Sequence, residues 1–370
     1  WIHNFWEYSR SLIDNFQDPL CLSLDLDPST ADDMEPILQM IPHLTALTGL
    51  DLNWDVPEGQ EIDDDDDSDE EEDSDELDKY LGVLTAAQLD QLNHLALHIL
   101  QYEVNVSEIS TWLQKMPHLQ TLAIRTGDTN LGDTLQIPPL LDLRQLYIRS
   151  NIEAHRLAVP VLPSLTRLYI LTQDSSTTSP WLPNLAHMTA METLFWFPSR
   201  SELVALSGHF PPSITDLCIS VEDYNLNKSE IELFWTNVTK LNQLTSFLLP
   251  NLKIPTFFLQ WMKTSQISTV PPLLQAEPLL LAQTLPAMKH LRVFNFGSEN
   301  DHYWMVPVLQ KCTQLTRLNL QVAPTEISRF ISALKSLPNL AELFFSSAMQ
   351  CNIPTEFYQC RFPHLKKLQM

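Results

Sequence analysis

Glycine is scarce in this chain: seven occur in 370 residues, at Gly49, Gly59, Gly82, Gly127, Gly132, Gly208 and Gly297. No two of them make G-x-G, so the dinucleotide-binding turn cannot be drawn. Gly127 and Gly132 have the spacing of a phosphate-binding loop, but Asp133 stands where the lysine is required, and a carboxylate there repels phosphate. Positive charge is also in short supply, with 22 Lys and Arg against 46 Asp and Glu and a formal net charge of −24. Free nucleic acid is therefore not an expected ligand. The five cysteines, Cys21, Cys218, Cys312, Cys351 and Cys360, are scattered and odd in number, with no C-x-x-C. That pattern predicts reduced thiols and a cytoplasmic or nuclear location. No run of 18 apolar residues exists, so no membrane span is expected. Neither G-x-S-x-G nor H-E-x-x-H occurs. His94 and His98 would face one side of a strand about 13 Å apart, too far to share a metal ion. The Asn105, Asn227 and Asn237 sequons are read as chance, since no signal peptide precedes them. The chain is expected to be no enzyme and to hold no cofactor and no metal.

What is abundant is one phrase, Leu-x-x-Leu-x-Leu with swaps to Ile, Phe or Met. Copies begin at Leu119, Leu143, Leu165, Met191, Ile214, Leu244, Leu291, Leu315, Leu340 and Leu365, in steps of 24, 22, 26, 23, 30, 47, 24, 25 and 25 residues. A period near 25 with this phrase defines a leucine-rich repeat, one short strand and one helix per coil. Side chains alternate along a strand, so the fourth and sixth residues point inward together. The third, fifth and seventh point to the opposite, concave face. No coil can bury its apolar residues alone, and stacking supplies the core. The fold expected is an α/β leucine-rich-repeat solenoid, with a curved parallel sheet inside, helices outside and about 12–13 irregular repeats. Residues 1–370 are expected to form a single domain.

Helical spacing of apolar residues predicts a helix over Pro324 to Leu337, with Ile327, Phe330, Ile331 and Leu334 on one face and a start signal at Thr325 before Glu326. The same reasoning predicts helices over Ser107 to Met116 (Ile109, Trp112, Leu113) and Glu230 to Leu241 (Ile231, Phe234, Trp235, Val238). Prolines at 117, 163, 212, 338 and 363 stand two residues before a phrase, as stops between helix and strand. His118 and His364 recur at one pre-strand position and belong to the repeat. The 47-residue step holds a degenerate repeat, or two helices over Pro255 to Lys263 and Leu273 to Leu285. Leu47 to Leu52 and Leu92 to Leu97 are repeats split by an insertion, and Leu20 to Leu24 is a further irregular strand. Ile2, Phe5, Trp6, Ile13 and Phe16 predict an amphipathic helix over the first repeat. Because Trp1 opens the chain and Met370 ends it inside a phrase, a fragment of a longer protein is expected.

Residues Glu61 to Asp78 hold 14 acids and no Lys or Arg, more than half of the net −24. Within Asp63 to Glu76 like charges repel and nothing apolar is there to bury, so 60–79 is expected to be a disordered acidic insertion. Its functional reading is a tether for basic partners, or an internal mimic competing for the concave face. Ser68, followed by Asp69, Glu70 and Glu71, is a candidate phosphosite.

The concave face offers a candidate binding patch. Tyr147, Tyr169 and Phe195 occupy fifth positions, with Arg125, Arg149, Arg167 and Phe197 flanking them. Strands about 4.8 Å apart would make them contiguous. Aromatic and arginine side chains are common anchors of interfaces, and this set suits an acidic or phosphorylated peptide. The alternative is that aromatics merely suit a pleated surface.

The phrases Met116-Pro-His-Leu-Gln-Thr-Leu-Ala-Ile, Leu162-Pro-Ser-Leu-Thr-Arg-Leu-Tyr-Ile and Leu337-Pro-Asn-Leu-Ala-Glu-Leu-Phe-Phe resemble the irregular repeats of fungal F-box/leucine-rich-repeat proteins, in the ribonuclease-inhibitor-like class. The resemblance runs from about Leu47 to Met370. It implies a non-enzymatic, protein-recognition role as the substrate-binding part of an F-box type ubiquitin ligase receptor, with a protein substrate on the concave face. No F-box is present here, so a cullin-ligase adaptor is a partner only if one precedes Trp1. Two further readings stand beside it: an acidic leucine-rich-repeat nuclear protein binding basic partners such as histones, and a GTPase-activating leucine-rich-repeat protein.

Overall fold

The computed structural model describes residues 21–25, 47–54, 81–99, 106–127, 134–173, 178–198, 200–206, 208–220, 226–249, 254–270, 278–297, 305–321, 324–345, 362 and 364–369. The expected N-terminal helix, the acidic run 60–79 and Ser68 lie outside the described residues. The chain divides into two compact units, Trp1–Asn184 and Leu185–Met370.

The first unit contains β1 (Cys21–Asp25), β2 (Gly49–Trp54), β3 (His94–Ile99), β4 (Thr121–Thr126), β5 (Leu135–Gln136), β6 (Gln145–Glu153), β7 (Leu157–Ala158) and β8 (Arg167–Gln173). Its main sheet is parallel in the order β1-β2-β3-β4-β6-β8, while β5 and β7 make a separate two-residue ribbon. The second unit contains β9 (Thr193–Phe197), β10 (Asp216–Ile219), β11 (Ser246–Leu248), β12 (Thr269–Val270), β13 (Val293–Gly297), β14 (Arg317–Gln321), β15 (Glu342–Phe345) and β16 (Lys367–Gln369), paired in parallel in chain order. Each unit is thus a leucine-rich-repeat stack. Consecutive parallel strands joined by crossovers of one hand place their helices on one face of the sheet.

The phrase residues do what their alternation demands. Leu95, Leu122, Leu146, Leu168, Leu194, Leu217 and Leu318, all fourth positions, are buried, as are Ile124, Ile148, Ile170, Trp196 and Ile219 at sixth positions. The last phrase differs: Lys367, Leu368 and Gln369 are all exposed.

A hydrogen-bond pattern accompanies most of the described phrases. The first-position N–H closes a turn onto the carbonyl three residues back, as in Leu165 to Leu162 at 3.2 Å and Leu315 to Cys312 at 3.1 Å. The second-position carbonyl then accepts two N–H donors from the next coil. The Gln120 carbonyl accepts from Arg144 (2.8 Å) and Gln145 (3.0 Å), and the Thr316 carbonyl from Ala341 (2.8 Å) and Glu342 (3.0 Å).

This seam settles the long step. Ser268 and Thr269 N–H groups donate to Thr245 O at 2.8 and 3.1 Å, and the Ser268 carbonyl accepts from Arg292 and Val293. A full repeat therefore lies there, with Ile267 and Val270 as its buried first and fourth residues. The helices Thr256–Met262 and Pro278–Thr284 flank β12, so the repeat stands beside both helices of the alternative; the second helix's expected start at 273–277 lies outside the described residues.

The amphipathic stretches become helices Val106–Leu113, Lys228–Val238 and Pro324–Lys335. The last starts with Pro324 rather than after Thr325, because a first helical position loses nothing by lacking an N–H. Trp235 packs on Phe258 with ring centroids 4.0 Å apart, and Phe247 of β11 stands edge-on to both at 6.2 and 5.6 Å. This cluster ties two helices to one strand, the arrangement that lets a coil bury what it cannot bury alone.

Candidate functional site: the helix-free face

Register brings the first unit's outward side chains into three rows. His94, Thr121, Gln145 and Arg167 share the third-position row. Asp51, Ala96, Ala123, Tyr147 and Tyr169 share the fifth, and Asn53, His98, Arg125, Arg149 and Leu171 the seventh. Tyr147 and Tyr169 have ring centroids 5.9 Å apart at 33°. The Tyr147 hydroxyl donates to Gln145 Oε1 at 3.1 Å. Arg125 and Arg149 stand opposite each other on adjacent strands, where like charges repel. Two neighbouring guanidiniums of this kind match the oxygens of a carboxylate or phosphate.

The alternation rule predicts this face to be open, and the structure departs from it. Arg167 is exposed, and Arg125, Tyr147 and Arg149 are half-buried. Tyr169 is only 8% exposed and Ala96 not at all. All six residues of β3 are buried, so both faces of that strand are covered. At about 4.8 Å between strands, a tyrosine ring shields its neighbour more than the sequence pattern reveals.

Phe195 and Phe197 belong to the second unit. Both are half-buried on β9, with ring centroids 5.2 Å apart. Further along that unit's helix-free face lies a group that sequence reasoning missed. Arg317 of β14, Glu342 of β15 and Lys367 of β16 are register partners in one third-position row. The Arg317 guanidinium carbon lies 4.5 Å from the Phe344 ring centroid, and Lys367 Nζ lies 5.1 Å from the same centroid. Arg317 Nε is 3.6 Å from Glu342 Oε2. Beside Phe344 in the fifth-position row, Asn319 donates through Nδ2 to Asn295 Oδ1. The signal was present in the sequence, but only after the last three phrases are laid in register.

Other chemistry is sparse among the described residues. His98 Nε2 lies 3.9 Å from Asp51 Oδ1, and His118 Nδ1 3.1 Å from Asp142 Oδ2. No cluster of three or more His, Cys, Asp or Glu that could hold a metal occurs among the described residues. Burial pushes the Cys312 thiol up to about 12, and raises that of Cys218 as well. A cleft of about 250 Å³ beside the β5–β7 ribbon is lined by Gln136, Pro160, Pro180, Trp181 and Asn184 among others, with no acid or base in its wall. Among the described residues, no helix is long and apolar enough to cross a membrane.

No protein-family model matches the sequence, and no curated protein matches it. Several solved structures are similar over most of the chain. The leucine-rich-repeat-containing protein LegL7 from Legionella pneumophila is 13% identical with a TM-score of 0.32, covering 80% of this chain and 78% of its own. A protein from Bacteroides fragilis is 14% identical with a TM-score of 0.35, covering 92% and 78%. TLR13, in its complex with ssRNA13, is 14% identical with a TM-score of 0.32, covering 72% and 52%. At these scores the likenesses bear on neither ligand nor partner. The register of the sheet and the repeat phrase define the class of protein, a leucine-rich-repeat protein.

Proposed function

We propose that this chain is a non-enzymatic recognition domain that holds an acidic or phosphorylated segment of a partner protein on the helix-free face of its first unit. The observation that carries the reading is the convergence of Arg125, Arg149, Arg167, Tyr147 and Tyr169 on three neighbouring strands. Arginines supply charge-assisted hydrogen bonds to carboxylate or phosphate, and the ring pair supplies rigid apolar area. Tyr147 is half-buried and packs on the buried Tyr169 ring, so it is already ordered and little side-chain entropy is lost when a partner covers its exposed edge.

Within that reading, the resemblance to fungal F-box/leucine-rich-repeat proteins supports a role as the substrate-binding part of a ubiquitin ligase receptor. Two measurements test the two layers separately. Replacing Tyr147→Ala together with Tyr169→Ala should lower partner capture at least tenfold while far-UV circular dichroism shows a folded chain. Unchanged capture would refute the patch. Pull-down of a cullin-ligase adaptor by the full-length protein tests the receptor role, and no adaptor recovered would leave a recognition domain without a ligase.

A further inference from the structure

We propose a second peptide-binding site, on the helix-free face of the second unit at β14–β16, which takes an extended acidic peptide segment. It is independent of the reading given for the first unit.

Three observations on the described residues carry it. The first is the cation pair: Arg317 and Lys367, from strands on either side of β15, both lie over the one half-buried ring of Phe344, at 4.5 and 5.1 Å. The ring fixes two long side chains that would otherwise spread into solvent. The second is a pair of unmet polar groups on β14. Asn319 Oδ1 is buried and accepts no hydrogen bond, and Arg317 Nε is buried and donates none. The nearest carboxylate oxygen to Arg317 Nε, on Glu342, is 3.6 Å away, beyond hydrogen-bond range. Buried polar groups in folded proteins are nearly always paired, and leaving them unpaired costs free energy. The third is spacing. Residues 317 and 319 are two apart on one strand, about 6.6 Å, the repeat at which an extended peptide presents successive groups to one side.

These groups state the ligand's chemistry. Asn319 Oδ1 requires a donor, which a peptide N–H provides. Arg317 and Lys367 require an acceptor of negative charge, which an Asp or Glu side chain provides. Phe344 offers an apolar floor between them. Glu342 already faces Arg317, so the cluster carries a net single positive charge and suits a segment with isolated carboxylates rather than a densely charged polyanion.

The test uses the full chain carrying Arg125→Gln, Arg149→Gln and Arg167→Gln, which removes all three arginines of the first patch and changes no residue of the second unit. A fluorescein-labelled peptide of alternating Asp and Ala is titrated by anisotropy, beside its Asn and Ala counterpart. The Asp peptide should bind and the neutral one should bind at least tenfold more weakly. Lys367→Glu should weaken the Asp peptide at least tenfold, and because that side chain is exposed the variant should melt like its parent. Arg317→Gln should weaken it similarly, Asn319→Leu severalfold, and Glu342→Gln should tighten it. Unchanged affinity in Lys367→Glu, equal affinity for the two peptides, tighter binding of a short RNA than of the Asp peptide, or no binding at all would each overturn the proposal. Partner capture through Tyr147 and Tyr169 can fail without touching any of these outcomes.

Discussion

Leu146 and Tyr147 are neighbours on one strand and serve opposite purposes. Leu146 is fully buried, while Tyr147 is half-buried on the other face. Leu146→Ala should lower unfolding free energy by about 2–5 kcal/mol, because the cavity it leaves relaxes only in part. Urea denaturation checks this, and Tyr147→Phe in the same assay should cost far less. The cysteines divide in the same way. Thiolate is the reactive form, and burial holds the Cys312 thiol near 12 while Cys21 is exposed. Iodoacetamide at pH 8 should label Cys21 well before Cys312 or Cys218, as read by peptide mass spectrometry. Alternation predicts the inward residues well because each leucine has one place to go. It predicts the outward ones poorly. Nothing in the Leu165 phrase tells that Tyr169 is shielded, because its cover comes in part from a ring 22 residues earlier in the chain.

The helix Lys228–Val238 shows what local sequence can fix on its own. Asn227 accepts the Glu230 N–H through its side chain at 3.0 Å, and the Glu230 carboxylate accepts the Asn227 N–H at 2.8 Å. Arg200 donates to both oxygens of that carboxylate at 3.1 and 3.0 Å. The Asn227 that reads as a chance sequon is thus a helix cap. Asn227→Ala should cost about 1 kcal/mol in urea denaturation. The backbone bond from Asn227, with help from Arg200, holds the Glu230 carboxyl below its ordinary 4.5. A depressed carboxyl stabilises the fold above its unfolded value and loses that contribution as pH falls through its folded value. The stability gap between wild type and Glu230→Gln should therefore be full above about pH 5 and shrink at lower pH. Acid titration of both proteins by circular dichroism checks it. Elements with less local signal were harder to read. β12 keeps the buried Ile267 and Val270, but Pro271-Pro272 follow where a sixth apolar residue would stand, and proline cannot donate to a ladder. The two-residue strands β5 and β7 carry no periodicity at all, since two residues are too few to show one.

For the molecule as a whole, charge is concentrated rather than spread. Fourteen of its 46 acids sit between Glu61 and Asp78. Deleting 61–78 should make the protein leave an anion exchanger at lower salt while its far-UV circular dichroism retains the strand and helix signal. If capture of histones is measured in parallel and is lost in the deletion alone, the tether reading of the run gains over the ligase reading. The phrase points to about 12–13 coils, and the described residues hold six main-sheet strands in the first unit and eight in the second, because copies as irregular as those at Cys21 and Thr269 carry too little of the phrase to be counted from it.

The seam of shared carbonyls has an evolutionary consequence. Within each unit, described coils are fastened to the next by the same two N–H groups on the same oxygen, whatever side chains surround them, as at Thr245, Ser268 and Arg292. A gene encoding such a seam can gain or lose whole units by unequal recombination, and every new junction is born already matched. The weakly leucine-rich copy at Ile267 shows how far a unit's lettering can erode while its fastening survives.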